Sequence, residues 1–308
     1  MLFSKKRVGV DISPHGVKMV LLDGSSTACR ISAAQERAFE PDSVILTHRE
    51  FLMDSPEVVT ERIRDAYNCL NTRVNKAIIT LPDSAGKLLV LTMSERFKNR
   101  AEAMELIHWK LKKRVQGNQN DLHFDYQILE ELENGELSIL VAFVSRTVVE
   151  RIESLFKATG LEPARIEFNC MSLHRPFADH LGNGGASGLI SFHGDNLGIM
   201  FMQEGVPRFI RNKKLDNCNV TDPRVFMELK NTFVSWRERN KNRDIDTIHT
   251  LSPPNSSSRF DAMVEELAGV TPFRFSIADI MPTQEIDLVD RATLYPFAAA
   301  IGAAWRAV

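Results

Sequence analysis

Val8-Gly-Val-Asp-Ile-Ser-Pro-His-Gly-Val-Lys-Met-Val-Leu-Leu22 lies without a gap on Gly188-Leu-Ile-Ser-Phe-His-Gly-Asp-Asn-Leu-Gly-Ile-Met-Phe-Met202, at an offset of 180 residues. Each copy reads as a short apolar strand, a turn of small and polar residues, and a second apolar strand. That strand ends at Asp23-Gly24 or Glu204-Gly205, where a further strand can begin. A hairpin that recurs once at such long range predicts two similar lobes and is far too widely spaced for a solenoid.

Strands and helices alternate around the two copies. Glu57 to Asn71 carries apolar residues at helical spacing and feeds an apolar strand, Lys76-Ala-Ile-Ile-Thr-Leu-Pro82, which proline stops. Arg100 to Val115 predicts a helix, and Leu137 to Val144 a strand after the Asn134-Gly135 turn. Thr147 to Thr159 predicts a helix closed by Gly160, with a strand to Phe168 and a helix from Met171 to His180 behind it. The glycine-rich Leu181 to Gly188 reads as the linker between lobes. Beyond the second hairpin come a helix over about 223–240, a strand over 246–251, a Pro/Ser loop, a helix over 259–267 and a last helix from about Leu294. The chain is therefore α/β, with two sheets rather than one.

The composition excludes several classes. In 308 residues, 44% hydrophobic and 25% charged, the formal charge is -2, so no global basic field points to nucleic acid or an anionic membrane. Tyr295 to Trp305 is about half the ~20 residues a spanning helix needs, and Asp11 breaks the apolar run after the basic start Met1 to Arg7, so export is not expected. Cys29, Cys69, Cys170 and Cys218 are scattered, as reduced structural thiols are. The basic runs Lys110, Lys112, Lys113, Arg114 and Arg237 to Arg243 sit where cations favour a helix C-terminus. His108 reads as a hydrogen-bonded core histidine, and neither a hydrolase nucleophile elbow, a metalloprotease motif nor a Walker loop is present.

Five segments together resemble the actin-like ATPase superfamily, specifically the type IV pilus assembly protein PilM family, related to the cytoplasmic domain of the type II secretion protein GspL. They are Met1 to Lys18, Ala77-Ile-Ile-Thr-Leu-Pro82, Leu140-Val-Ala-Phe-Val-Ser with Ala158-Thr-Gly-Leu-Glu-Pro163 behind it, the hairpin at Leu189, and Tyr295-Pro-Phe-Ala-Ala-Ala-Ile-Gly-Ala-Ala-Trp-Arg306. The resemblance implies an actin-like two-lobed fold with duplicated mixed-sheet lobes and a small inserted α+β subdomain. Its boundaries would be 1–83 for the opening of the first lobe, 84–165 for the insertion, 166–187 for the return and linker, and 188–308 for the second lobe with its closing helix. It also implies a cytoplasmic place at the inner membrane and, as partner, the cytoplasmic N-terminal segment of a PilN-like membrane protein beside other platform subunits. The membrane would be reached only through partners. The chain's end suits either a complete relative or the cytoplasmic part of a longer anchored protein.

The implied cofactors are ATP and Mg²⁺. Such a cleft needs backbone N–H groups from both turns at the phosphates, carboxylates holding Mg²⁺ through water, and a cation. By the resemblance, Asp11 is the metal-side carboxylate; Ser13, His15 and Lys18 complete the first phosphate hairpin; Ser191, Gly194 and Asp195 form the second; and Gly302 lies on the small face of the closing helix. The chain departs from this pattern in three places. Ser13 replaces a glycine and precedes Pro14, which has no N–H; the second leading Asp falls on Ser191; and Leu251-Ser-Pro-Pro-Asn255 stands where relatives have a Gly-Gly adenosine loop. These departures predict weak or absent nucleotide binding and a scaffold rather than an enzyme. The alternative is an active ATPase or a sugar-kinase-like phosphotransferase, for which Asp83 is the candidate catalytic carboxylate.

Overall fold

The computed structural model describes residues 6–25, 28–94, 96–112, 121–182, 185–240, 244–281 and 291–305. Strands β1 (Arg7–Ser13), β2 (Gly16–Ser25) and β3 (Ala28–Ala38) form an antiparallel meander. After a small hairpin of β4 (Val44–Leu46) and β5 (Phe51–Met53), helix α1 (Pro56–Cys69) leads into β6 (Lys76–Leu81), which lies parallel to β1. Next come β7 (Lys87–Met93), α2 (Arg100–Lys112), β8 (Leu122–Glu131), β9 (Leu137–Ser145), α3 (Arg146–Ala158), β10 (Glu162–Phe168) and the short helices α4 (Asn169–His174) and α5 (Ala178–Leu181). The second half holds β11 (Ala186–His193), β12 (Asn196–Gln203), β13 (Val206–Lys214), α6 (Pro223–Arg239), β14 (Thr247–Leu251), α7 (Ser257–Ala268), β15 (Phe273–Arg274), α8 (Ile277–Ile280) and α9 (Ala298–Trp305).

The two sheets have one plan. The first is ordered β3-β2-β1-β6-β10 and the second β13-β12-β11-β14-β15, with antiparallel hairpins on one side of the lead strand and parallel strands on the other. The duplication read from the two hairpins therefore extends to whole sheets. Both faces of each lead strand are covered, as a sheet between layers requires. In β1, Val8, Val10 and Ile12 join the core beneath α1 and α3, while Gly9 and Asp11 alternate onto the opposite face. In the second lobe, Ile190, Phe192, Ile199 and Phe201 pack on α6 and α7, and Leu189, Met200 and Met202 join a core shared with α4, α8 and α9.

The insertion is smaller than the 84–165 boundaries drawn from the sequence. Only β7, β8 and β9 form a separate sheet, ordered β7-β9-β8 and backed by α2. Helix α3 packs in the first-lobe core, and β10 is a strand of the first-lobe sheet, parallel to β6. That pairing joins residues far apart in sequence and leaves no local signal. The end of the predicted helix at Val115, the basic residues Lys113 and Arg114, the run 241–243, residues 183–184 of the linker and the start 1–5 lie outside the described residues.

Helix α9 ties the halves together by backbone proximity. A methyl group on Gly9 would lie 2.1 Å from the carbonyl oxygen of Ala300, and one on Gly302 would lie 1.9 Å from that of Ser172. Every residue from Ala298 to Ala304 is buried. Carbonyls in the last turn of α9 accept from arginines: Arg7 Nη1 donates to Trp305 O (3.1 Å) and Arg175 Nη1 to Gly302 O (2.8 Å). Gly302→Ala should destabilise the protein by about 1–3 kcal/mol, because the backbone clash outweighs the roughly 1 kcal/mol gained in helix propensity. Gly182→Ala, with its nearest neighbour at 3.6 Å, is the control. The check is the urea midpoint of each variant, and an unchanged midpoint for Gly302→Ala would refute the close-packing account.

Candidate functional site at the interlobe cleft

The tips of the two duplicated hairpins touch. His15 Nε2, in the first turn, lies 3.1 Å from Asp195 Oδ2 in the second, and these are equivalent positions of the two copies. Deeper in, His193 Nε2 at the end of β11 lies 3.2 Å from Asp11 Oδ2 near the end of β1. With Asp11 as a carboxylate, which only accepts, this contact takes its proton from Nε2, while the buried Nδ1 has no hydrogen-bond partner among the described residues. The outer pair is exposed, with the His15 side chain at 73%, whereas Asp11 is 5% exposed and His193 7%. Tyr295 covers the inner pair: its hydroxyl donates to Phe192 O, and its ring stands edge-on to His193 at 5.8 Å.

A polar row crosses the first sheet beneath this contact, because Glu167, Thr80, Asp11, Lys18 and Glu36 are register partners on successive strands and so share a face. Helix α4 lies over it. Asn169 Nδ2 donates to Asp11 Oδ1 (3.4 Å) and its Oδ1 accepts from Thr80 Oγ1 (2.8 Å). Ser172 Oγ donates to Glu167 Oε1 (2.6 Å) and lies 3.0 Å from Thr80 Oγ1. The Arg175 guanidinium grips both Glu167 oxygens at 2.7 and 2.8 Å. Asp83, also buried, accepts the Cys170 N–H (3.1 Å), and Asn212 Nδ2 reaches Cys170 Sγ from β13 of the other lobe (3.6 Å).

The structure brings together Asp11, His15, Gly194 and Asp195 of the residues singled out from the sequence. Lys18 stands beside Asp11 in register, but its Nζ pairs with Glu36 at 3.3 Å. Ser13 is spent within its own turn, its hydroxyl donating to Gly16 O and accepting from His15 N. Ser191 faces Gly198, where a side chain would lie 2.8 Å from its Oγ, and Gly302 rests on the Ser172 backbone. Gly194 adopts the left-handed conformation (φ 58°) that the second turn requires. His193, Asn169 and Cys170 were missed by sequence reasoning. His193 stands within the repeat at the position equivalent to Ser13, and that equivalence was the available signal.

A second feature lies between the first-lobe sheet and the inserted one. A groove of about 600 Å³ runs between β8 and β10, lined by Tyr126, Leu140, Ala142, Ile166, Phe168 and Met171. Among the described residues both flanking strands are sheet edges, β8 pairing with β9 and β10 with β6.

Burial pushes the Asp83 carboxyl up to about 6, against the opposing pull of its Cys170 hydrogen bonds and of His193, with the Asp11 charge adding to the rise. The neutral acid is favoured in the fold. Below about pH 4 the group is protonated folded and unfolded and costs nothing; as pH rises towards 6 the unfolded state ionises first, and a penalty of about 3 kcal/mol develops. Asp83→Asn, which keeps the acceptor for Cys170, should therefore gain stability relative to the parent between pH 4 and 6 and hold that gain above. Denaturation midpoints of both proteins at several pH values test this; a pH-independent difference would contradict it.

No family model and no curated protein sequence matches the chain. Solved structures do. A chain of the PilM–PilN type IV pilus biogenesis complex superposes with a TM-score of 0.81 at 14% identity, covering 97% of both chains. A Bacteroides thetaiotaomicron protein with an actin-like ATPase fold and unknown function gives 0.54 at 12% identity, covering 88% of this chain and 90% of that one. The cytoplasmic domain of EpsL, an inner-membrane component of the Vibrio cholerae type II secretion system, gives 0.51 at 13%, covering 81% and 83%. With its duplicated sheets, facing hairpins and shared closing helix, the chain has the actin-like ATPase fold.

Proposed function

We propose that this protein is a non-catalytic cytoplasmic scaffold in the inner-membrane platform of a type IV pilus or type II secretion system. It takes the extended N-terminal segment of a PilN-like membrane protein into the groove between β8 and β10. The observation that carries this reading is a groove, with an apolar floor and polar and charged side chains around it, flanked by two strand edges that have no strand partner among the described residues. An extended segment can hydrogen-bond to either edge and place alternate side chains against Leu140, Ala142 and Ile166. The PilM–PilN complex and the EpsL domain support the platform assignment through shared fold. No described helix is long and apolar enough to cross a membrane, so tethering through a bitopic partner suits the described part of the chain.

In this reading the cleft does not hold Mg-ATP. Both Asp11 oxygens are engaged by protein groups, Lys18 is paired with Glu36, Pro14 offers no N–H, and the hairpin tips meet where a triphosphate would enter. Displacing the buried Asp11–His193 contact would strand a carboxylate, at a cost of about 3–5 kcal/mol.

Two measurements test the proposal. Calorimetric titration with Mg-ATP at about millimolar concentration should give no saturable heat; micromolar binding abolished by Asp11→Ala would favour the phosphotransferase alternative. Fluorescence titration with labelled N-terminal peptides of the neighbouring bitopic proteins should give micromolar binding, since ordering the segment offsets part of the contact energy. Ala142→Arg, which projects a long side chain into the groove, should weaken it at least about tenfold with the melting curve unchanged. Undiminished binding by this variant would place the partner elsewhere.

A further inference from the structure

We infer that the β8–β10 groove and the interlobe contact belong to one conformational equilibrium: a segment seated in the groove holds the lobes closed, and opening the lobes widens the groove. The inference rests on the docking role proposed for the groove and adds its control.

Both walls of the groove are fastened to the second lobe, by separate routes. One wall consists of β10 and α4, contributing Glu167, Phe168, Met171 and Arg175. The Arg175–Glu167 pair on this wall continues through Ser172, Thr80 and Asn169 to Asp11, and Asp11 meets His193 of the second lobe. The same helix meets β13 of the second lobe where Asn212 donates to Cys170. The opposite wall is β8, and its Glu130 accepts from Arg208 Nη2 of β13 at 2.8 Å, with both side chains partly buried.

Packed sheets rotate as bodies and do not stretch. If the second lobe swings away, His193 leaves Asp11 and Arg208 leaves Glu130 together, and the two walls, which also meet in the first-lobe core, lose the clamp that spans them from the other lobe. Binding linkage then runs both ways: a segment that needs the closed width must stabilise the closed lobes by the factor that closure strengthens its binding, typically five- to a hundredfold.

Hydrogen–deuterium exchange on the full chain tests this without a ligand. Arg208→Ala removes the fastening at β8, remote from the hairpin turns. It should speed exchange about tenfold at β8, and also at β10–α4 and at the turns around residues 13–16 and 193–196. His193→Ala should speed exchange at the turns and equally at β8 and β10–α4. Changes confined to 122–131 and 206–214 for Arg208→Ala, or to the two turns for His193→Ala, would overturn the coupling. A PilN-like peptide that binds should protect both hairpin turns, which it does not touch; protection limited to the groove would likewise overturn the coupling while leaving the docking role intact. A peptide that fails to bind the parent protein would remove the docking role, and the exchange pattern of the variants would still decide the coupling.

Discussion

A carboxylate buried at the end of the first strand is the constraint on which the site depends. Asp11 is 5% exposed and sits on the sheet face turned towards the other lobe, where an uncompensated charge would be prohibitive. Asn169 answers one oxygen and His193 the other, and this fixes both the start of α4 and the approach of β11. Two carboxylates facing each other across such a cleft would call for a divalent cation between them. Here the carboxylate faces an imidazole, whose N–H satisfies one of its oxygens.

Closure also needs close backbone approach. Gly9 and Gly302 let α9 settle against β1 and α4 at distances that no side chain allows, and the run of buried alanines between them keeps the contact thin. Gly9 lies on the same face of β1 as Asp11, so the seat of the helix and the buried carboxylate share one surface. Arg7 and Arg175 then bond the terminal carbonyls of that helix. Arg175 at the same time holds Glu167, which makes the helix end, the polar row and the groove wall neighbours in one bonded unit.

Much of this was legible in the sequence, for identifiable reasons. The hairpins at Val8 and Leu189 announce themselves through strict apolar strands around a polar turn, and α1, α3, α6 and α7 through helical spacing or clear caps. Strands β7 and β8 did not. In β8, Phe124 and Tyr126 alternate with polar residues but are only half-buried against the core of the inserted sheet, and Ile128 is exposed, so the pattern lacks a fully buried face to read. The end of the insertion was misplaced because β10 gains its identity from β6, across the whole inserted sheet. In the site, Asp11, His15 and Asp195 could be named from the repeat. The bonds from Asp11 to Asn169 and His193 span 158 and 182 residues, and no local pattern encodes a partner at that range.

The two copies have diverged in complementary directions, and this explains why the cleft closes on itself. The position held by Lys18 in the first hairpin is Gly198 in the second, where the missing side chain makes room for Ser191 Oγ and Asn212. The position held by Ser13 is His193, so in the inner pair the first copy supplies the carboxylate and the second the imidazole. A lysine at 198 would drive its side chain into Ser191. The outer His15–Asp195 pair, largely exposed, adds less than about 1 kcal/mol. What holds the hairpins together is therefore the inner pair and the apolar core around α9, both made wholly of protein groups.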